Sequence, residues 1–222
     1  MTAHPQLNLS NDALLSTTRA VRKRLDFDRE VPMSVIEECL ELALQAPSGS
    51  NGQGWHFMLV TEPEKKTAIA DYYREAFSEY RSGPRAPTQW HKNRPDMKDT
   101  QERVLNSAQY LADNLHRAPA LLIPCINGRV NAEGIPIASQ ASMYASVIPA
   151  SWNFMLAARA RGLGTCWTTL HLNYEEEIAK LLGIPYDKVS QIAVIPIAYS
   201  VGNDFKPGPR KTQSEVVHIN NW

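Results

Sequence analysis

The chain has 222 residues, with 23 basic and 23 acidic side chains, 43% hydrophobic and 21% charged content. That length suits one large domain with a well-buried core, and the composition is that of an ordinary globular protein. Balanced charge gives no bulk reason to expect nucleic acid or an anionic membrane as partner.

No window approaches the ~20 apolar residues of a membrane span. Residues 1–10 lack the apolar run of a signal peptide, so a cytoplasmic location is expected. Cys39, Cys125 and Cys166 are far apart, lie in apolar stretches and form no CxxC. They read as buried reduced thiols, which excludes a disulfide frame and a zinc site. No internal repeat or low-complexity segment interrupts the chain, and residues 1–222 are expected to form a single domain.

Ser10 or Asn11 is placed to cap a short helix over 12–17. Next come Thr18, Arg19, Ala20, Val21, Arg22, Lys23 and Arg24, with four cations in residues 19–24. A guanidinium fork suits phosphate because it donates two parallel hydrogen bonds; a solvated charge run is the plainer reading. Ser34 to Glu37 has the form of a capping box, and Ile36, Leu40, Ala43 and Leu44 recur at helical spacing. This predicts a helix running to about Ala46.

At its end lies Ala46-Pro47-Ser48-Gly49-Ser50-Asn51-Gly52-Gln53-Gly54-Trp55, rich in hydroxyls, amides and glycine. Glycine lets backbone N–H groups approach a ligand, and Asn51 and Gln53 each offer a donor and an acceptor for the edge of a flat heterocycle. An ordinary helix-to-strand connection has the same composition. The loop follows a helix C-terminus, whose dipole repels phosphate, so any phosphate must find arginines elsewhere.

Residues 55–61 read as a buried strand. Pro63 opens a helix whose stripe is Ile69, Tyr72, Tyr73, Ala76, Phe77 and Tyr80. Residues 81–96, with three prolines, Trp90 and several cations, form either a lid or a surface connector. Their arginines are candidates for the phosphates of a nucleotide donor, and Trp90 and Tyr80 are candidate cleft walls. A helix is predicted over 97–117 and a continuous apolar strand over 119–126, central in a sheet. Residues 137–161 form the longest predicted helix. Its low charge implies burial on most sides, hence contact with a second subunit, and Pro149 is expected to kink it. A short strand over 165–171, a helix from the cap Asn173 to Leu182 and a strand over 189–199 complete the body. A tail follows from about 201 to 222 and needs a surface to lie on.

Three segments together resemble the FMN-dependent nitroreductase family: residues 18–22, the loop over 46–57, and Ala157-Ala158-Arg159-Ala160-Arg161-Gly162-Leu163-Gly164 with the Thr-rich stretch after it. The basic tail agrees, and the likeness covers nearly the whole chain. The resemblance implies an α+β fold around a central, mostly antiparallel sheet flanked by helices. It also implies an intertwined homodimer with FMN at the subunit boundary and the tail on the partner. Arg19, Ala20, Arg22 and Arg210 then fall at the FMN phosphate and ribityl end. Pro47, Ser48, Ser50, Asn51 and Gln53 reach FMN across the dimer. Backbone N–H groups at Thr168, Thr169 and Leu170 meet the N5 and O4 edge. Thr18 stands where the family often has arginine and Ala20 where it often has serine, so two donors to the cofactor are missing.

The resemblance implies ping-pong transfer of two electrons from NAD(P)H to a nitroaromatic or quinone, with Arg22 as the cation beside N1. The flavin carries the chemistry, so no catalytic side chain is assigned, and no HExxH or Ser-His-Asp signature is present. Without a GxGxxG fingerprint the nicotinamide donor is a visiting substrate. Rival readings are a non-enzymatic FMN-sequestering protein, reductive dehalogenation, ring-forming dehydrogenation, and a purely structural domain.

Overall fold

The apolar run near residue 120 becomes β3 (Ala120–Asn127), and the other elements stack around it. The computed structural model describes residues 4–91 and 94–222. In chain order the elements are α1 (Asn11–Thr17), β1 (Leu25–Asp26), α2 (Met33–Ala43), β2 (Trp55–Val60), α3 (Pro63–Tyr80) and α4 (Lys98–Asn114). After β3 come α5 (Ile137–Ala160), β4 (Leu163–Thr165), α6 (Glu175–Leu182), β5 (Val189–Gln191) and β6 (Ile195–Ser200). The sheet runs β1-β6-β3-β2, with β4 on β6 and β5 on β3, and every pairing between named strands is antiparallel.

Helices cover both faces. Leu121, Ile123 and Cys125 of β3 pack with α3, α4 and α6 through Ile69, Phe77, Leu111 and Ile178. Ala120 and Leu122, pointing the other way, pack with α2 and α5 through Ile36, Cys39, Phe154 and Ala158. Burial on both faces explains why β3 shows no alternation in its sequence. The three cysteines are buried and unpaired, and among the described residues no helix is long and apolar enough to cross a membrane.

Several predicted boundaries move. Residues 189–199 form two strands, not one. Cys125 faces Gln191 and Leu122 faces Ile195, so three residues, Ile192 to Val194, oppose two of β3. This is a β-bulge beside Pro124, which has no N–H to give the ladder. Val194, turned away from β3, exchanges bonds with Thr168 instead. The strand expected over 165–171 is therefore β4 plus that single bridge. The chain then turns into a 3₁₀ helix over Leu170–Tyr174, which places Asn173 inside a turn and leaves Tyr174 at the start of α6 without a side-chain cap.

The capping box at Ser34 does not form. Helix α2 begins one residue earlier, behind Pro32, and the Ser34 hydroxyl pairs with the His4 ring at 2.9 Å. Pro149 does not break α5. Ala145, whose carbonyl loses its partner there, is exposed to solvent. One side of α5 is buried; the other shows Tyr144, Ile148 and Trp152, each 38–41% exposed. Beyond Phe205 the tail carries a single 3₁₀ turn (Gln213–Glu215) and lies at the surface, with Val217, Ile219 and Trp222 exposed.

The Arg129–Glu175 pair ties the loop after β3 to the start of α6. Its N–O distances are 2.7 and 2.8 Å, and Glu175 also accepts the Gln191 N–H at 2.9 Å. Both side chains are largely buried. Glu175→Ala leaves a guanidinium and an amide unpaired and is expected to cost about 2–3 kcal/mol in urea unfolding. Glu62→Ala, which breaks an exposed pair with Lys65, is expected to cost less than about 1 kcal/mol.

His171 is fully buried in the 3₁₀ turn, and neither ring nitrogen has a partner among the described residues. Burial pushes its imidazole down to about 3. The unfolded chain takes up this proton near pH ~6.5 and the folded chain does not. Its contribution is therefore complete above that pH and is lost as the pH falls toward 3. Between pH 7 and 5 the loss expected from this group is about 2 kcal/mol. Unfolding of wild type and His171→Leu at both pH values checks it: the variant should lose that much less.

Candidate functional site

The segment after α1 is pinned flat against β4. Ala20 bridges Thr165, and the Val21 N–H donates to the Thr165 carbonyl at 2.8 Å. Gly164 allows this approach, since a Cβ there would come within 2.9 Å of Val21 and Leu25 side chains. Arg19, Ala20, Arg22 and Lys23 line one wall of a cavity of about 450 Å³; Thr100, Arg103 and Ser107 of α4 line the opposite wall. No carboxylate is among its lining residues. Arg22 Nη1 donates to Ser107 Oγ at 3.4 Å, and Arg19 Nη1 to the Lys206 carbonyl at 2.7 Å. Arg19 and Arg210 converge on Gly208, where a Cβ would meet both guanidiniums at 3.3 and 2.9 Å. The tail thus brings Arg210 beside Arg19, as the sequence ordering alone could not. Thr18 contributes nothing here: it is buried, and its hydroxyl donates to the Leu14 carbonyl at 2.6 Å.

Arg22 is shared with a second cavity of about 210 Å³, walled by Tyr73, Phe77, Tyr80 and Trp167 and floored by Thr168, Thr169 and Leu170. The Thr168 N–H donates to the Val194 carbonyl at 3.3 Å, and its hydroxyl pairs with the Tyr73 hydroxyl at 2.8 Å. Leu170 opens the 3₁₀ turn, so its N–H has no partner within the helix. The Thr169 N–H makes no backbone bond among the described residues. Burial pushes the Tyr73 phenol up to about 12, so it stays protonated at neutral pH. A planar ring with acceptors on one edge suits this cavity, and an anionic group suits the cationic one joined to it.

The polar loop lies apart from both cavities within this chain. Gly49 N–H donates to Ser146 Oγ of α5 at 3.0 Å, and a Cβ on Gly49 would collide with Ser142. Ser50, Asn51 and Gln53 all have φ near +50°, where non-glycine residues are strained. The Gln53 N–H donates to Ser48 Oγ and its amide to Asn51, each at 3.0 Å. Pro47, Ser50, Asn51 and Gln53 are exposed, alongside the uncovered apolar face of α5.

Of the two cleft walls read from the sequence, Tyr80 lines the smaller, aromatic cavity. Trp90 is 58% exposed and lines a separate one with Lys98 and Gln101. Residues 81–91 and 94–96 lie against α4, held by Gln101 Nε2 donating to the Pro87 carbonyl at 2.8 Å; Lys92 and Asn93 fall outside the described residues. Arg103, Ser107 and Tyr73 were not singled out for function by motif. The only sequence signal for the first two is that Thr100, Arg103, Val104 and Ser107 share a face at helical spacing.

The family model described as "Nitroreductase family" matches residues 15–199. A 4-nitrobenzoate reductase of Nocardioides sp. (strain LMS-CY) is 29% identical over 198 residues, 78% of this chain and 74% of that protein. Iodotyrosine deiodinase 1 of Rattus norvegicus is 27% identical over 208 residues, 92% of this chain and 67% of that protein. Among solved structures, a mutant of the FMN and NADPH-dependent nitroreductase NfnB from Sphigopyxis sp. strain HMH superposes with a TM-score of 0.69 at 23% identity, covering 96% of this chain and 100% of that one. An iodotyrosine deiodinase bound to FMN and 3-iodo-L-tyrosine gives 0.63, also at 23% identity, covering 94% and 97%. With more than half its length matched by the family model and the fold shared by these structures, the chain belongs to the nitroreductase family.

Proposed function

We propose that this chain is one protomer of a homodimeric FMN-dependent oxidoreductase that passes two electrons from NAD(P)H to a nitroaromatic or quinone acceptor. The observation that carries this reading is the pair of cavities meeting at Arg22, one cationic and one walled by aromatic side chains. FMN, when bound, supplies the hydride and electron chemistry that no side chain here provides. Arg19, Arg22 and Arg210 hold its phosphate end. Arg22, shared between the cavities, also puts positive charge beside the ring. The free N–H groups of Thr169 and Leu170 orient the ring edge, and Tyr73 fixes the Thr168 hydroxyl. The aromatic walls exclude water from that face.

What this chain leaves uncovered supports a second subunit. Tyr144, Ile148 and Trp152 form an exposed apolar stripe on α5, next to the strained polar loop. An apolar helix face of this kind favours burial against a second copy. Such a copy brings Ser48, Ser50, Asn51 and Gln53 toward its neighbour's flavin. Reductive dehalogenation of an aromatic substrate is the second reading, favoured by the likeness to iodotyrosine deiodinase.

Anaerobic titration of the yellow protein with NADPH and with NADH tests the first reading. Flavin absorbance should bleach, and it should return on adding a nitroaromatic or a quinone. Protein that neither nucleotide bleaches would sink the reductase reading and leave flavin sequestration. Bleached protein that re-oxidises with an iodophenol, releasing iodide, but not with a nitro compound would favour dehalogenation. For the dimer, Trp152→Glu places a charge in the proposed interface. It should shift sedimentation to the monomer mass and weaken FMN retention at least tenfold. A variant that stays at wild-type mass with full flavin would rule this interface out.

A further inference from the structure

We propose that Arg103 of α4 is a phosphate ligand of FMN, supplying charge that the segment over 18–24 does not provide by itself. The proposal rests on the FMN reading above. The cationic cavity is lined by Arg19, Arg22, Lys23 and Arg103 and by no carboxylate. None of these four makes an ion pair with Asp or Glu among the described residues. Cations gathered without counter-charge repel one another, and an incoming dianion relieves that repulsion.

The segment's other positions cannot help. Thr18 spends its hydroxyl on Leu14, and Ala20 has no side-chain donor. Arg103 approaches from a different element, the helix that closes the cavity's far side. Its hydrogen bond, from Nη2 to Thr100 Oγ1 at 3.0 Å, is internal to α4. The rest of its five-donor fork is left for an anion. Thr100 and Ser107, one helical turn to either side, bring hydroxyls to the same cavity. Arg103 is exposed and packs no core, so its removal leaves the fold intact.

The test compares FMN with riboflavin, which has the same ring and no phosphate. Full-length protein stripped of flavin is titrated with each, following the quenching of flavin fluorescence. Arg103→Ala should weaken FMN binding about tenfold or more, change riboflavin binding less than about twofold, and flatten the salt dependence of FMN binding. Arg103→Lys should recover part of the loss, since it keeps the charge without the fork. Unchanged FMN affinity in Arg103→Ala overturns the proposal, and so does equal weakening for both flavins. A wild type that binds neither flavin overturns the FMN reading itself and this proposal with it.

Discussion

The one-residue offset between β3 and the strand pair β5–β6 is the constraint on which the candidate site depends. β3 is buried on both faces and must satisfy its backbone entirely within the sheet, yet Pro124 at its centre has no N–H to offer. The bulge at Ile192–Val194 absorbs that break and turns Val194 toward Thr168. Thr168 is thereby held at the sheet edge while the next residues swing into a 3₁₀ turn, leaving the Thr169 and Leu170 N–H groups unspent among the described residues. A regular strand continuing through 165–171 would have turned the Leu170 N–H, on the same edge as Thr168, into the ladder.

Electrostatics organises the other half of the site. Arg19, Arg22 and Lys23 arrive from the chain's first fifth, Arg103 from α4, and Arg210 from the tail. The tail reaches them because its root is clamped. Arg24 donates to the Val201 carbonyl and pairs with Asp204, and Arg24 and Arg159 both lie over the Phe205 ring at 4.3 and 4.8 Å. A local group of cations thus sits at one cavity, although the whole chain is neutral. Net charge is silent about such clustering.

The polar loop shows how local strain and surface chemistry combine. Three non-glycine residues in the left-handed region cost free energy, about 1–3 kcal/mol each. The anchor to Ser146 of α5 and the Ser48, Asn51 and Gln53 bonds hold them there. Those bonds present amides and hydroxyls outward, beside the exposed stripe of α5, and away from the cavities of the same chain.

The residues by themselves determined the helices with clear periodicity, the central buried strand, the reduced cysteines and the family resemblance, because these rest on local spacing and residue chemistry. They also marked Arg19, Arg22 and the loop over 47–53 as chemically distinctive. Only the tertiary structure decided where the last strand breaks, since that depends on Pro124, some seventy residues earlier, failing to donate. It alone decided that Ser34 serves the His4 ring and not its own helix. It alone set Arg103 and Ser107 across a cavity from Arg22, and Tyr73 against Thr168. The Arg22–Ser107 and Tyr73–Thr168 bonds join residues 85 and 95 positions apart, and no local pattern encodes a contact made by packing a helix over the edge of a sheet.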